Sequence, residues 1–200
     1  MSLGVIGPTL RLRLPAEADA PALFALASDP EVTRWFSWGP YRREEEALAY
    51  VRRLPEQRER GEQLDLLIEH REHGPIGITG LSERSARDRR AVVGSWLGRP
   101  YWGTGANREA KALVAHLAFG PLGLERLGAY TNVDHARSQA ALRGVGFRRE
   151  GVLRRWHRHG DQVFDVVIWS LLADEWRASP LAEVEARMEG EVPPAFRPGA

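Results

Sequence analysis

The 200-residue sequence contains no cysteine and only one lysine, Lys111. The first absence excludes disulfides, thiolate nucleophiles and cysteine-ligated metals. The second makes the positive charge almost entirely arginine, balanced so that the net charge is +1. A chain so close to neutrality has no global field to draw it to nucleic acid or to a membrane surface, and neither partner is expected. No apolar run approaches the ~18 residues of a membrane span, and Met1–Thr9 has no basic-then-apolar leader pattern. The expected compartment is therefore the cytoplasm. The six histidines show no acidic or cysteine partners at ligand spacing, so no metal site is expected. There is no internal repeat and no linker long enough to divide the chain. What remains is ordinary for one globular domain with a real core: 43% hydrophobic and 28% charged residues.

Periodicity places the elements. Leu10–Leu14 alternates Leu and Arg, a short strand with one buried face. Pro15 opens a helix with Leu23, Leu26 and Ala27 on its apolar side, and Asp29-Pro30 breaks it. An aromatic loop, Trp35 to Pro40, precedes a helix over Arg42–Arg60. Leu64–Glu69, Pro75–Leu81 and Ala91–Leu97 read as an antiparallel meander, with Glu83–Arg90 as its second turn. A helix from Ala106 follows, then a strand over Arg126–Thr131 and a helix capped by Asp134. Two strands, Phe147–His157 and Val163–Leu171, flank a His159-Gly160-Asp161 turn. The predicted fold is α/β of the α+β type: a mixed, mostly antiparallel sheet of about seven strands with helices on both faces. The predicted domain covers residues 1–178. Residues 179–200 form a C-terminal extension, with a short helix over Leu181–Met188 and then a loose tail.

One segment points to chemistry. A strand runs through Gly98 into Gly103-Thr104-Gly105, and a helix starts at once. The first amides of a helix lack intrahelical partners, and the helix dipole favours an anion in front of them. Glycines let the backbone curl and let a bulky anion approach. A Walker loop needs a Gly-Lys-Ser/Thr ending that is missing here, and a dinucleotide fingerprint needs a small residue where Arg108 stands. A phosphate-binding turn of another kind over Trp102–Ala106 is left.

Val93 to Gly105, followed by Glu109-Ala110, resembles the acetyl-coenzyme A motif of the GNAT superfamily of N-acetyltransferases. Asp134, Ser138, Ala141-Leu142, Gly146-Phe147, Glu150-Gly151 and Leu153-Arg154 resemble that family's next motif, with His135 where an asparagine is usual. Leu10–Arg13, Asp19, Asp29–Val32, Gly160-Asp161, Asp165 and Glu175-Trp176 extend the likeness over about residues 8–178, nearest to the RimJ/RimL-like branch. The resemblance implies acetyl-CoA as cosubstrate, no metal, a sheet splayed at the cofactor site, and a homodimer. It implies that the pantetheine arm pairs with backbone near Trp96 and Gly98, and that an N–H near Leu97 polarises the thioester oxygen. The pyrophosphate would lie on Trp102, Gly103, Thr104, Gly105 and Ala106, with His135 and Ser138 at the cofactor. Ser138 is the expected acid for the departing thiolate and His157 the expected base for the amine, with Glu83 as second candidate base. Trp35, Trp38, Glu83 and Arg84 are expected to line the acceptor site. The acceptor is a primary amine: a ribosomal or other protein N-terminus in the RimJ/RimL-like reading, or a small amine such as an amino acid, polyamine or antibiotic. A coenzyme A-binding module without catalysis is the reading from another class.

Overall fold

The computed structural model describes residues 2–199. Nine strands form one sheet in the order β7-β8-β6-β5-β4-β3-β2-β1-β9. They are β1 (Leu3–Ile6), β2 (Leu10–Arg13), β3 (Gln63–His70), β4 (Gly74–Ser85), β5 (Arg90–Leu97), β6 (Arg126–Asn132), β7 (Arg148–His159), β8 (Gln162–Leu172) and β9 (Arg187–Gly190). Six helices accompany them: α1 (Ala20–Ala27), α2 (Pro30–Thr33), α3 (Glu44–Glu59), α4 (Ala106–Phe119), α5 (Ala136–Gly144) and α6 (Ala173–Arg177). No helix among the described residues is long and apolar enough to cross a membrane.

The centre of the sheet is buried on both faces, so its strands read as near-continuous apolar runs. On β3, Leu64, Leu66 and Ile68 join the large core under α4, whereas Leu67 packs with Ala20, Leu23, Ala47 and Val51 of α1 and α3. Asp65 lies on that second face too, since successive strand residues alternate. α4 shows why its sequence is a helix: Ala106, Ala110, Leu113, Val114 and Leu117 recur at helical spacing, and all are buried.

Every strand pair is antiparallel except β5 with β6. That parallel pairing is short. Arg90, Ala91 and Val92 face Arg126, Leu127 and Gly128; thereafter β5 continues to Leu97 and β6 to Asn132 without further pairing. The sheet therefore opens into a V between the C-terminal halves of its two central strands.

The sheet has nine strands rather than about seven, because both ends of the chain add one. β1 pairs with β2 and with β9, which begins at the end of the segment expected to be helical. Residues 181–186 are turns and coil, not a helix, and the tail is docked rather than loose. Leu181 and Phe196 are buried in the main core, and Arg84 donates to the carbonyls of Ala195 (3.1 Å) and Arg197 (2.9 Å). Sequence patterning missed this because the anchors are single side chains separated by prolines and charges. Replacing Arg84 by alanine is expected to cost about 2 kcal/mol, the worth of charge-assisted hydrogen bonds. A lowered urea midpoint with an unchanged m-value would show it.

Candidate active site

The V-shaped gap positions the site. Its lower lip is the turn before α4. Gly103 and Gly105 have φ of +76° and +94°, which only glycine adopts without strain. A Cβ built on either meets no atom within 4 Å, so the space in front of both is open. The amides of Gly103, Thr104, Gly105 and Asn107 have no hydrogen-bond partner among the described residues. Trp102 departs from expectation, since its N–H donates to Arg99 O (3.2 Å) and the cradle starts one residue later. Ala106 N–H makes only a long bond to Thr104 Oγ1 (3.4 Å). Arg108 and Arg137 line the same cavity of about 450 Å³, and the Arg137 guanidinium lies 3.3 Å over the Trp102 ring. Open amides, a helix N-terminus and two arginines fit a diphosphate.

β5 supplies the next part. Gly98 N–H donates to Ile76 O (2.9 Å), and antiparallel pairing alternates, so Trp96 and Gly98 direct their backbone groups at β4. The amides facing the gap are those of Ser95 and Leu97. This corrects the expected pairing near Trp96 and Gly98 by one residue and leaves the Leu97 N–H facing the gap. The Leu97 carbonyl is taken by the Trp102 indole N–H (2.8 Å).

Beyond the turn the gap widens into a cavity of about 320 Å³ that shares Phe36, Ser95, Asn107, His135 and Ser138 with the first. Ser138 lies on α5, and its hydroxyl makes no hydrogen bond among the described residues. α5 is not capped by Asp134: its N-cap is His135 and no side chain caps it. The His135 ring stacks on Trp35 (4.9 Å between centroids), and its Nε2 is buried without a partner. Burial, with Arg137 and Arg34 nearby, pushes its pKa down to about 4, too low for an effective base near neutrality.

His157 reaches the cavity because of a β-bulge. The register of β7 against β8 shifts between Leu153 and His157, Arg155 takes φ +53°, and its N–H donates to Asp165 Oδ1 (2.7 Å). His157 lines the cavity and sits edge-on to Tyr130 (5.8 Å between centroids). Burial lowers its pKa, His159 lowers it further, and Glu83 opposes them. Glu83 itself is exposed on a bulged extension of β4, at φ +49°, where it accepts from Tyr130 Oη (3.3 Å). The turn expected at residues 83–90 is thus shorter, spanning residues 86–89 between the two strands. Arg84 is a correction: it holds the C-terminal tail and lines none of these cavities. Trp35 lines the main cleft, and Trp38 lines a neighbouring one.

Two features escaped the sequence reading. Lys111, the lone lysine, is buried under the cleft on α4, where its Nζ donates to Ser95 Oγ. Ser95 Oγ in turn lies 2.7 Å from Thr79 Oγ1. The signal was a single charged residue on an otherwise apolar helical face. His70, Glu72 and His73 come together at the β3–β4 turn with ligand atoms within 4.8 Å, so these histidines do have an acidic neighbour. They line neither of the joined cavities, though the His73 ring lies against Tyr101 (5.9 Å between centroids) at the edge of one. His70 Nδ1 already accepts the Glu72 N–H (3.1 Å).

A family described as the Acetyltransferase (GNAT) domain matches residues 9–148. The chain belongs to this GNAT family. It is similar to the uncharacterized N-acetyltransferase YoaA of Bacillus subtilis (strain 168), with 29% identity over 164 residues, 82% of this chain and 93% of that one. Its fold matches Mycobacterium smegmatis RimJ in complex with CoA-disulfide: TM-score 0.77, 22% identity, 88% of this chain and 87% of that one. It also matches the microcin C7 self-immunity acetyltransferase MccE in complex with acetyl-CoA and AMP: TM-score 0.74, 21% identity, 82% and 92% covered. The protein is therefore an acetyl-CoA-dependent N-acetyltransferase of the GNAT family.

For this GNAT protein the glycine turn offers a direct test. Gly103→Val is expected to raise the Kd for acetyl-CoA at least about tenfold, since a branched side chain at positive φ is strained and would fill the open space. Calorimetric titration would read it. Unchanged affinity would separate this turn from the cofactor.

Proposed function

We propose that this GNAT protein acetylates the N-terminal α-amine of a protein, by direct attack on the thioester in a ternary complex. The observation behind this reading is the V between β5 and β6, which joins the glycine cradle to the cavity containing Ser138 and His157. The amine nitrogen bonds to the acyl carbon, the carbon–sulfur bond breaks, and the acetyl group leaves on nitrogen as an amide. His157 accepts the proton that the amine loses. Ser138, its hydroxyl uncommitted, donates to the departing sulfur. The Leu97 N–H stabilises the oxygen as charge develops there.

The walls around the gap, where the reacting amine would lie, favour the terminus of a peptide. None of the residues lining the two joined cavities is Asp or Glu, and their walls include Trp35, Phe36 and the half-exposed Trp156. The likeness to RimJ agrees with this. The homodimer and cytoplasmic location remain part of the same reading.

The test is to incubate the full chain with acetyl-CoA and a peptide library bearing free N-termini, and to map acetylation by mass spectrometry. Modification confined to α-amines is expected. Turnover of small amines alone would replace the acceptor assignment, and coenzyme A binding without any turnover would replace the enzyme by a binding module.

A further inference from the structure

A third cavity, of about 270 Å³, opens on the other face of the sheet, under α3 and the aromatic loop. It meets the main cleft at Phe36, Gly94 and Ser95. Its floor is a single row across three strands: Asp65 on β3 faces Gly80 on β4, which faces Gly94 on β5. Two glycines in that row leave bare backbone, a trench from Asp65 to the edge of the gap. A Cβ on Gly80 would lie 1.9 Å from Asp65 Oδ1, whereas one on Gly94 would meet nothing within 4 Å. Adjacent strands are about 4.8 Å apart, so Asp65 and Gly94 are separated by about 10 Å.

Asp65 is 8% exposed. Both of its protein donors converge on one oxygen, Tyr50 Oη at 2.5 Å and Gln63 Nε2 at 2.8 Å from Oδ2. Oδ1 takes no hydrogen bond, and Asp65 has no ion-pair partner among the described residues. Arg53, exposed at the rim, reaches over the Tyr50 ring (5.3 Å) instead. Burial raises the Asp65 pKa, outweighing the hydrogen bonds from Tyr50 and Gln63 and the more distant charge of Arg53, which lower it. The walls are aromatic. Trp38 packs against Phe36 (5.1 Å), Tyr41 (5.4 Å) and Trp96 (5.7 Å). A buried carboxylate with one uncommitted oxygen, boxed by ring faces, is the chemistry that selects an organic cation.

We propose that this cavity is a specificity subsite that seats a second cationic nitrogen of the acceptor, an alkylammonium or guanidinium, while the reacting amine lies at the gap. The inference rests on the N-acetyltransferase reading and narrows its substrate class: the acceptor carries a cation about 10 Å from the amine that is acetylated. That cation belongs either to a basic side chain near a peptide N-terminus or to the far end of a small diamine.

The experiment compares matched acceptors with the full chain and acetyl-CoA. Peptides with Lys at position 1, 2 or 3 are paired with norleucine peptides, and diaminoalkanes of increasing length with the monoamines of equal length. A kcat/KM preference of roughly 30-fold or more for the cationic member of a pair is expected, as for a desolvated charge pair. In Asp65→Asn the preference should collapse towards one. Gly94→Ala places a methyl in the trench without touching the carboxylate; it should shrink the preference while leaving the melting temperature unchanged, which separates blockage from misfolding. Preference in the peptide pairs alone supports a side chain, and preference in the diamine pairs alone keeps the subsite while overturning the N-terminal acceptor. Equal rates throughout, or a preference that survives Asp65→Asn, overturns the subsite. If no acceptor turns over, calorimetric binding of diamine against monoamine decides, and equal affinities overturn it.

Discussion

Replacing Lys111 by methionine is expected to stabilise the protein by about 3 kcal/mol at pH 7. Burial pushes the Lys111 pKa down from 10.5 to about 8, and each pKa unit corresponds to ~1.4 kcal/mol. No carboxylate pairs with the ammonium among the described residues. Its recorded hydrogen bond is to the Ser95 hydroxyl, which keeps Thr79 as a partner when the amine is removed. The pH dependence has a definite sign. Between pH 8 and 10.5 the unfolded chain still holds the proton that the native chain has released, so wild-type stability rises with pH in that window. Below pH 8 both states are charged and the penalty is constant. The variant's advantage should therefore be largest below pH 8 and fade towards pH 10.5. Urea unfolding of both proteins at pH 7, 9 and 10.5 would measure it; a difference that stays constant with pH, or a less stable variant at pH 7, would contradict the assignment.

His157→Ala is expected to lower kcat by about 100-fold or more, the usual worth of a positioned base. Because burial holds the His157 pKa below its ordinary 6.5, the ring is neutral at pH 7 and ready to accept a proton. The acidic limb of the kcat profile should accordingly lie below pH 6.5 and should vanish in His157→Gln. Ser138→Ala should lower kcat less, and Glu83→Gln least, since Glu83 is exposed, hydrogen-bonds Tyr130 and acts on His157 only through its charge. If His157→Ala turned over within about twofold of wild type, a barrier change of ~0.4 kcal/mol, the base would lie elsewhere. His135 would not be the replacement, given its depressed pKa of about 4.

The glycine turn and the gap differ in how they were readable. Gly103 and Gly105 announce themselves, because positive φ and close approach demand glycine and a helix must begin just beyond. Glu109 is similarly visible as a motif residue, although its carboxylate proves to bind the amides of Thr9 (2.8 Å) and Leu10 (2.8 Å), which anchors α4 to the β1–β2 turn. Glu150 likewise accepts from Arg126 and from Ser170 Oγ (2.7 Å) and stays outside the cleft. Arg84 is expected from the sequence to line the acceptor site, but its partners lie more than a hundred residues away in the tail. No local pattern reports such a pairing.

The sequence by itself determined the central strands, the long helices, the glycine turn before α4 and the order of the family motifs, because each rests on periodicity or backbone constraint within a short window. Tertiary structure alone decided that β5 and β6 part after Val92 and Gly128, that a bulge turns His157 into the gap, and that Asp65, Gly80 and Gly94 share one row. It also decided that Lys111 is buried beside Ser95. Those features depend on register between strands and on burial, which are set by contacts between residues far apart in the chain.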